Sequence, residues 1–271
     1  MSRDGVYVCA DIGCHWLGDW KRMEWMIERC AYAGVDAVKL QMFDAELLEG
    51  QYSQEMQEKL CCMTLTAFDV SNAVRCAHRH GIELVVTPMS KGLADTLKDV
   101  PVDGLKVRAK DYLNAPLVRA VRSFGKPYYI SFPVKDGIAS VPMDEKGQPV
   151  NEEDAEVLRE HWFNTYPPRG HRVYCIPKYP PELSEIQLKT LSHQYHGFSN
   201  HYPHISVPLM AAALGIQNQM NVCRLNRFYL EVHARPDVGE KEQYLDWNVS
   251  LSFHQIRCLC KSVAIMEEAI G

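Results

Sequence analysis

Three cationic side chains alternate along one short stretch of the chain. Lys106, Arg108 and Lys110 occupy every second position of the strand-like segment GLKVRAKD, residues 104–111. Side chains alternate between the two faces of a strand, so all three are expected on one face. Lys and Arg are almost never fully buried unless they are paired. The pattern therefore predicts either a solvent-exposed edge strand, which commonly carries Lys, or a site that binds an anion.

Further polar side chains stand at or near the ends of other strand-like segments. Taken singly, a His or Lys there is more often structural or solvated than functional. Taken together, buried ammonium groups are costly unless an anion neutralises them, and a phosphate plus a carboxylate would do so. Two histidines near carboxylates also fit a divalent metal, although their spacing is no short motif. The set comprises Lys39, Gln41, Thr87, Asp111, Asn114, Ser131, Lys178, Tyr179, Ser199, His201, Glu231 and His233.

Eight apolar strand-like segments alternate with amphipathic helical segments. This order predicts an α/β protein, a single-domain (β/α)8 TIM barrel spanning residues 1–271. A doubly wound open sheet is the alternative, but no G-x-G-x-x-G follows the first strand. A barrel has no free edge strand, which weakens the solvent-exposed interpretation of residues 104–111. The predicted strands are 5–13, 36–43, 82–89, 104–109, 126–134, 171–178, 197–202 and 226–234.

Three segments between the strands have their own signals. Residues 135–150 are polar and turn-rich, so we expect a surface excursion there, and residues 217–227 form an insertion before the eighth strand. Residues 184–195 carry the apolar spacing of a helix after the sixth strand. Barrel active sites lie at the carboxyl ends of the strands, and we therefore expect the polar set to meet there.

Composition excludes several classes of protein. The 271 residues are 46% hydrophobic and 23% charged, with a formal net charge of −5, so no basic excess points to a nucleic-acid partner. No apolar run approaches the ~18 residues of a membrane span, and the chain opens without an apolar signal segment. None of the ten cysteines forms a C-x-x-C pair. We expect a cytoplasmic protein with reduced cysteines and no membrane partner.

Eight collinear segments resemble the sialic acid synthase family, the synthases that use phosphoenolpyruvate (PEP) to make nonulosonic acids. Each segment is weak alone, but together they follow the family order over nearly the whole chain, and the family barrel agrees with the strand count. The segments are ADIGCHWLGDW (10–20), AGVDAVKLQMF (33–43), ELVVTPMS (83–90), LKVRAKDYLNAPLVRAV (105–121), YCIPKYPP (174–181), GFSNHY (197–202), LEVH (230–233) and DWNVSL (246–251).

The resemblance implies condensation of PEP with a sugar aldehyde, giving a 2-keto-3-deoxy sugar acid and free phosphate. It implies a divalent metal, Mn²⁺ or Mg²⁺, bound by His201 and His233, and a homodimer. It places Lys39, Thr87 and Lys106 on PEP, with Gln41 beside them. From the resemblance and the residues together we expect catalysis by Asp11, Lys39, Asp111, Glu231 and Asp246, and substrate binding by Gln41, Thr87, Lys106, Arg108, Asn114, Ser131, Lys178, Tyr179 and Ser199.

Departures from the family pattern leave two alternatives open. Asp11 stands in place of the family Glu, Ala109 in place of a phosphate-binding Ser, and the small carboxyl-terminal domain of many members is unmatched. Arg108, Lys110 and Lys178 are extra cations, which suit a phosphorylated or otherwise anionic acceptor. One alternative is a Schiff-base aldolase using Lys106 or Lys39. The other is a non-catalytic barrel that binds a phosphorylated ligand.

Overall fold

The fold is a closed parallel β-barrel surrounded by helices. The computed structural model describes residues 5–44, 53–112, 114–133, 170–191, 195–222, 227–238 and 245–270. Each of the first eight strands lies within its predicted segment, except that β6 begins one residue earlier and β8 ends one residue later. They are β1 (Val6–Asp11), β2 (Ala37–Met42), β3 (Glu83–Pro88), β4 (Gly104–Val107), β5 (Tyr128–Pro133), β6 (Gly170–Cys175), β7 (Gly197–Asn200) and β8 (Phe228–Arg235).

Every strand is parallel to its neighbours, and the sheet closes on itself. The order runs from β1 to β8 in sequence, and β8 pairs with β1 from Val6↔Phe228 to Asp11↔His233. A short strand β9 (Leu251–Ser252) extends the sheet by pairing with Ala234 and Arg235 at the end of β8. The predicted (β/α)8 TIM barrel is confirmed, and the runner-up open sheet is wrong because the β1–β8 pairing removes the edges.

The helices cover the outside of the barrel with their apolar faces. Strand residues that point outward pack with these helices in one large core, for example Val38, Leu84 and Leu230. The helices of the described residues are α1 (Trp20–Ala33), α2 (Gln54–Cys61), α3 (Ala67–Arg79), α4 (Lys91–Thr96), α5 (Ala115–Ser123), α6 (Ser206–Val222) and α7 (Phe253–Ile270).

The helix predicted over residues 184–195 is wrong. The described part of that segment holds only two short 3-10 turns, Leu183–Glu185 and Leu188–Leu191. Between them Ile186 is extended, with φ −87° and ψ 99°. The backbone N–H of Gln187 donates to the hydroxyl of Tyr174, 3.1 Å away, instead of to a carbonyl of a preceding turn. A tertiary hydrogen bond thus overrides a helical apolar pattern.

Two other sequence expectations stay predictions. The excursion predicted at 135–150 lies outside the described residues. Of the insertion predicted at 217–227, the first part continues α6 as far as Val222, and residues 223–226 lie outside the described residues. No helix among the described residues combines the length and apolar character that crossing a membrane requires.

The lumen of the barrel has an apolar floor and a polar upper half. A second, smaller core fills the floor with Tyr7, Cys9, Ala37, Val85, Tyr129, Val173 and Tyr229. Along β8 the side chains of Tyr229, Glu231 and His233 alternate onto the lumen face and climb towards the carboxyl end of the strand. On β2 the side chains of Ala37, Lys39 and Gln41 likewise lie on the lumen face, in order from the floor upward. Strand alternation therefore places the predicted polar side chains above an aromatic floor.

Candidate active site

The polar upper half of the lumen opens into a cavity of about 490 Å³ at the carboxyl ends of the strands. Thirteen of the predicted site residues line it, contributed by the eight barrel strands and the segments that follow them. They are Asp11, Lys39, Gln41, Thr87, Lys106, Arg108, Ser131, Tyr179, Ser199, His201, Glu231, His233 and Asp246. This is the end of a TIM barrel where active sites lie.

Two lysines and two carboxylates form a buried charge cluster at the bottom of the cavity. Lys39 Nζ lies 2.9 Å from Asp11 Oδ2 and 3.0 Å from Glu231 Oε1. Lys106 Nζ lies 2.7 Å from Glu231 Oε2. All four residues are at least 95% buried. Two carboxylates therefore neutralise two ammonium groups before any ligand binds, so the buried charge is offset without the phosphate that the sequence suggested alongside a carboxylate.

Opposing effects set the pKa values in this cluster. Burial alone would raise the pKa of Asp11 and of Glu231, but the neighbouring cations outweigh burial and hold both below their usual range. Burial disfavours the charged form of Lys39 as well, yet Asp11 and Glu231 raise its pKa. Burial lowers the pKa of Lys106, which faces only one of the carboxylates. The two lysines are thus chemically distinct.

Glu231 is held by four donors. Besides the two lysines, the hydroxyl of Ser199 donates to Oε1 at 2.8 Å and the hydroxyl of Tyr229 donates to Oε2 at 2.5 Å. A carboxylate offers about four lone-pair positions, so two donors at each oxygen fill its capacity. Glu231 is therefore built as a fixed negative charge.

Two histidines stand higher in the same cavity. The ring centroids of His201 and His233 are 5.2 Å apart, and both side chains are buried. His201 Nδ1 lies 2.8 Å from the carbonyl oxygen of Ile176. Because a carbonyl only accepts, Nδ1 carries the proton and the Nε2 lone pair is left for a ligand. Burial and the nearby His233 lower the pKa of His201 to about 3, so its ring is neutral.

The donor set around the histidines fits a divalent metal. His233 lies between two carboxylates, with Nε2 3.7 Å from Asp11 Oδ2 and Nδ1 3.6 Å from Asp246 Oδ2. Imidazole nitrogens with carboxylate oxygens suit Mn²⁺ and related ions, and a ligand His that donates its other N–H to a carbonyl is the usual arrangement. Within the described part of the chain, no group of three or more His, Cys, Asp or Glu side chains is arranged to hold a metal ion as it stands.

The remaining carboxylate of the cavity differs from the buried cluster. Asp246 follows β8 and the described residues resume just before it, at Leu245. Burial raises the pKa of the Asp246 carboxyl, whereas the charges of Lys39 and His233 act in the opposite direction without overcoming it. A carboxyl group with a raised pKa is suited to carry a proton.

Polar groups of the neighbouring strands face the same space. Gln41 Nε2 donates to Asp11 Oδ2 at 3.0 Å. Ser131 is buried and contacts the thiol of Cys175. Thr87 is 2% exposed, and its hydroxyl has no hydrogen-bond partner among the described residues. A buried polar atom without a partner is costly, so the Thr87 hydroxyl marks a position for a ligand.

The three alternating cations of residues 104–111 do not share one strand face. β4 ends at Val107, and only Lys106 points into the barrel from the strand itself. Arg108 lines the cavity from the turn that follows, where its guanidinium binds both carboxylate oxygens of Asp111 and contacts Met89 Sδ. Lys110 is exposed at the cavity mouth. The three cations are therefore separated: Lys106 and Arg108 each pair with a carboxylate at a different level of the cavity, and Lys110 faces its opening.

Three predicted site residues lie outside the cavity lining. Asp111 is buried behind Arg108. Asn114 begins α5 as its N-cap, with Oδ1 accepting from the N–H of Leu117 at 3.1 Å. Lys178 is exposed and pairs with Glu185 at 3.0 Å. Each of the three side chains has a protein partner that accounts for its residue type. Asp111 could act on a bound substrate only through Arg108, and Asn114 only through α5.

Sequence reasoning missed some residues that shape the site. Tyr229 binds Glu231 from below, and Cys14 and Cys175 line the cavity wall. Apolar side chains of Phe43, Leu60, Met89 and Leu245 also line the cavity. The two-residue step from Tyr229 to Glu231 was visible in the sequence, but a tyrosine in an apolar strand looks like ordinary core.

Fold and site together define a (β/α)8 barrel whose strand ends carry a lysine–carboxylate cluster beneath a pair of histidines. The NeuB family matches residues 26–271, and this chain belongs to that family. The crystal structure of an N-acetylneuraminic acid (sialic acid) synthetase from Leptospira borgpetersenii, in complex with citrate, superposes with a TM-score of 0.76. The superposition covers 100% of this chain and 86% of that one at 19% identity, which shows a shared fold.

Two curated relatives match at similar levels. An uncharacterized protein of Methanocaldococcus jannaschii is 24% identical over 216 residues, covering 78% of this chain and 59% of the relative. The N,N'-diacetyllegionaminic acid synthase of Legionella pneumophila is 23% identical over 228 residues, covering 77% of this chain and 61% of the relative. The chain thus spans about three fifths of the length of the curated relatives it matches.

Proposed function

We propose that this protein condenses PEP with a sugar aldehyde, giving a 2-keto-3-deoxy sugar acid and phosphate with the help of a divalent metal. The observation that carries the proposal is the Lys39–Glu231–Lys106 cluster at the bottom of the cavity, directly below the two histidines. It supplies fixed ammonium donors for an anionic substrate, and membership in the NeuB family supports this chemistry.

PEP would bind over the lysines. An ammonium group has three N–H donors; Lys39 uses two on Asp11 and Glu231, and Lys106 uses one on Glu231. The remaining donors, together with the unpartnered hydroxyl of Thr87, suit the phosphate and carboxylate oxygens of PEP. Gln41, Ser131, Ser199 and Arg108 complete the set that we assign to substrate binding, and Tyr179 stacks on His201 with ring centroids 4.2 Å apart at the mouth.

The acceptor aldehyde would lie between PEP and the histidines. A divalent metal held by His201 and His233 would polarise the aldehyde carbonyl as a Lewis acid. Bond formation joins C3 of PEP to the aldehyde carbon, and the carbonyl oxygen takes up a proton. Water then adds at C2, and the bond from C2 to the phosphate oxygen breaks as the new hydroxyl loses its proton and becomes the ketone. Carbon, oxygen and phosphorus balance with one water consumed.

The carboxylates of the cavity have different surroundings, and we therefore assign them different roles in proton transfer and positioning. Asp246, whose pKa burial raises, is assigned the proton exchanged with the aldehyde oxygen or with water. Asp11, tied to Lys39 and Gln41, orients those donors. Glu231 accepts four hydrogen bonds and keeps the lysines in place. Asp111 is assigned an indirect role through Arg108. We also propose a homodimer.

A Schiff-base aldolase is the second candidate. The lowered pKa of Lys106 favours it, because a neutral amine is the nucleophile that attacks a carbonyl. The ion pair between Lys106 and Glu231 opposes it, since the pair holds the amine protonated. We therefore place this reaction second.

One experiment separates the candidates. Phosphate release from PEP is measured with Mn²⁺ against a panel of aldoses, N-acetylated hexosamines and sugar phosphates. The proposal predicts phosphate release that requires both PEP and one class of acceptor. In parallel, the protein is treated with pyruvate and borohydride and analysed by mass spectrometry. Labelling of Lys106 without acceptor-dependent phosphate release would overturn the PEP reaction in favour of the aldolase. A protein that binds PEP but fails both tests would be a binding barrel.

A further inference from the structure

We propose that Tyr229 is a positioning residue for this site: its buried hydroxyl fixes the Glu231 carboxylate and, through that carboxylate, the Lys106 ammonium group beneath the substrate. The proposal rests on the proposed function insofar as the substrate is PEP. The geometry that carries it lies in the floor of the barrel, below the residues that line the cavity.

The first observation is the hydrogen-bond pattern at Glu231. Tyr229 and Lys106 are the two donors at Oε2, at 2.5 Å and 2.7 Å, and Ser199 and Lys39 are the two donors at Oε1. Tyr229 is the only one of the four that approaches from the floor. Without its hydroxyl, the carboxylate would keep its two donors at Oε1, but Oε2, the oxygen that pairs with Lys106, would lose its only other donor.

The second observation is that the Tyr229 ring is rigidly held. It is 0% exposed and stacks on Tyr129 with ring centroids 3.9 Å apart and an interplanar angle of 23°. Tyr7 packs beside this pair, with its ring centroid 6.0 Å from that of Tyr229 and 6.1 Å from that of Tyr129. On the adjacent strand, a Cβ on Gly197 would lie 2.5 Å from the Tyr229 carbonyl oxygen and 2.8 Å from its Cβ, so only glycine allows this close approach.

The third observation links the ring directly to the lysine. Lys106 Nζ lies 5.4 Å from the centroid of the Tyr229 ring, within the range of a cation–π contact. One side chain therefore touches both members of the Glu231–Lys106 pair, the carboxylate through its hydroxyl and the ammonium through its ring face. Hydroxyl and ring can be separated by mutation, because Tyr229→Phe removes only the first.

The test compares Y229F with the matched control Y129F. Both variants delete one hydroxyl from the same stack of tyrosines and keep every ring, but Tyr129 has its side-chain hydrogen bond with Tyr7 and none with Glu231. PEP affinity is measured by calorimetry, and kcat and KM are measured wherever turnover is found. We expect Y229F to weaken PEP binding about tenfold and to raise KM for PEP by a similar factor. Y129F should change either value by less than about twofold.

A double variant shows whether Tyr229 acts through Glu231. In an E231Q background, Y229F should weaken PEP binding by less than about twofold further, because the carboxylate it positions is already gone. Additive losses, equal effects of Y229F and Y129F, or unchanged PEP affinity in Y229F would overturn the proposal. A Y229F protein that fails to fold where Y129F folds would assign the hydroxyl to stability, and that result would overturn it too.

Crystal structures of Y229F and the unaltered chain provide a readout that does not depend on PEP. We expect the Glu231 carboxylate and Lys106 Nζ to shift by about 1 Å or more, or to occupy several positions, in Y229F alone. An unmoved pair would overturn the positioning role. If the unaltered chain binds no PEP, the proposed function fails, whereas the displacement of Glu231 and Lys106 still decides the role of Tyr229.

Discussion

Replacement of Lys106 by methionine tests the whole assignment of the buried charge cluster. Methionine keeps the length and apolar stem of the lysine but removes its charge. The cluster then changes from two cations and two carboxylates to one cation, Lys39, facing both Asp11 and Glu231. Lys110, which stands four residues further on and is exposed, provides the matched control as Lys110→Met.

The loss of stability follows from the geometry of the pair. At 2.7 Å, the attraction between Lys106 and Glu231 is about 6 kcal/mol at an effective dielectric constant of ~20. Part of this is offset because the buried ammonium no longer has to be desolvated, and removing one partner of a buried pair typically costs about 3–5 kcal/mol. Since Lys39 still neutralises Glu231, we expect the low end, about 3 kcal/mol, or a fall in Tm of roughly 6–12 °C.

The loss of PEP affinity is estimated separately. A hydrogen bond to a charged group contributes about 1.5–3 kcal/mol, which corresponds to roughly 10- to 150-fold in the dissociation constant. Removing an exposed cation such as Lys110 should cost at most ~1 kcal/mol, or about fivefold. Calorimetric titration with PEP measures both values, and thermal unfolding measures the stabilities.

A double variant, Lys106→Met with Glu231→Gln, separates the two effects. It restores charge balance between Lys39 and Asp11, so it should recover most of the lost stability without recovering PEP affinity. Equal loss of PEP affinity in the Lys106 and Lys110 variants would refute the assignment of Lys106 to the substrate. Unchanged stability in Lys106→Met would refute the ion pair itself.

Three further predictions test neighbouring parts of the site. Chelation of divalent metal should abolish turnover and Mn²⁺ should restore it, and His201→Ala with His233→Ala should abolish Mn²⁺ binding followed by calorimetry; full activity after chelation would contradict the metal assignment. Thr87→Val should weaken PEP binding about tenfold by calorimetry without lowering Tm, because the Thr87 hydroxyl has no partner among the described residues to lose; a loss of Tm instead would make it structural. Asn114→Ala should lower the free energy of unfolding in urea by about 1 kcal/mol, because it removes the N-cap of α5. PEP affinity should change by less than about twofold; a large loss would show that Asn114 contacts the substrate.

The barrel was predictable because strand signals are local. Apolar runs such as residues 82–89 and 226–234 identify buried parallel strands without knowledge of their neighbours, and the alternation of β with α then leaves few topologies. Residues 184–195 show the limit of this reasoning. Their apolar spacing is helical, but the hydroxyl of Tyr174, on the preceding strand β6, takes the N–H of Gln187, and no local pattern reveals that contact.

The sequence predicts which residues belong to the site better than it predicts which of them contact each other. Lys39, Lys106 and Glu231 were identified from residue type and position, yet their pairing joins residues 192 and 125 positions apart. Which carboxylate neutralises which lysine depends on the register of β8 against β1 and on the height of each side chain in the lumen. Tyr229 was missed for a different reason: it lies only two residues from Glu231 on β8, but a tyrosine in an apolar strand looks like ordinary core.

These pairings change how the barrel would recognise an anion. The sequence suggests that a phosphate and a carboxylate together offset the buried cations. In the structure, carboxylates alone do so: Lys39 and Lys106 are matched by Asp11 and Glu231, and Arg108 is matched by Asp111. A cluster that is neutral on its own lets the barrel fold without its ligand, since no unpaired charge has to be buried. Because the cluster is neutral, its net electrostatic attraction for an anionic ligand is small. Ligand selection then depends on the directions in which the N–H and O–H donors of the site are held. This is why the groups that hold those donors in place, Glu231 and below it Tyr229, matter as much to the site as the lysines themselves.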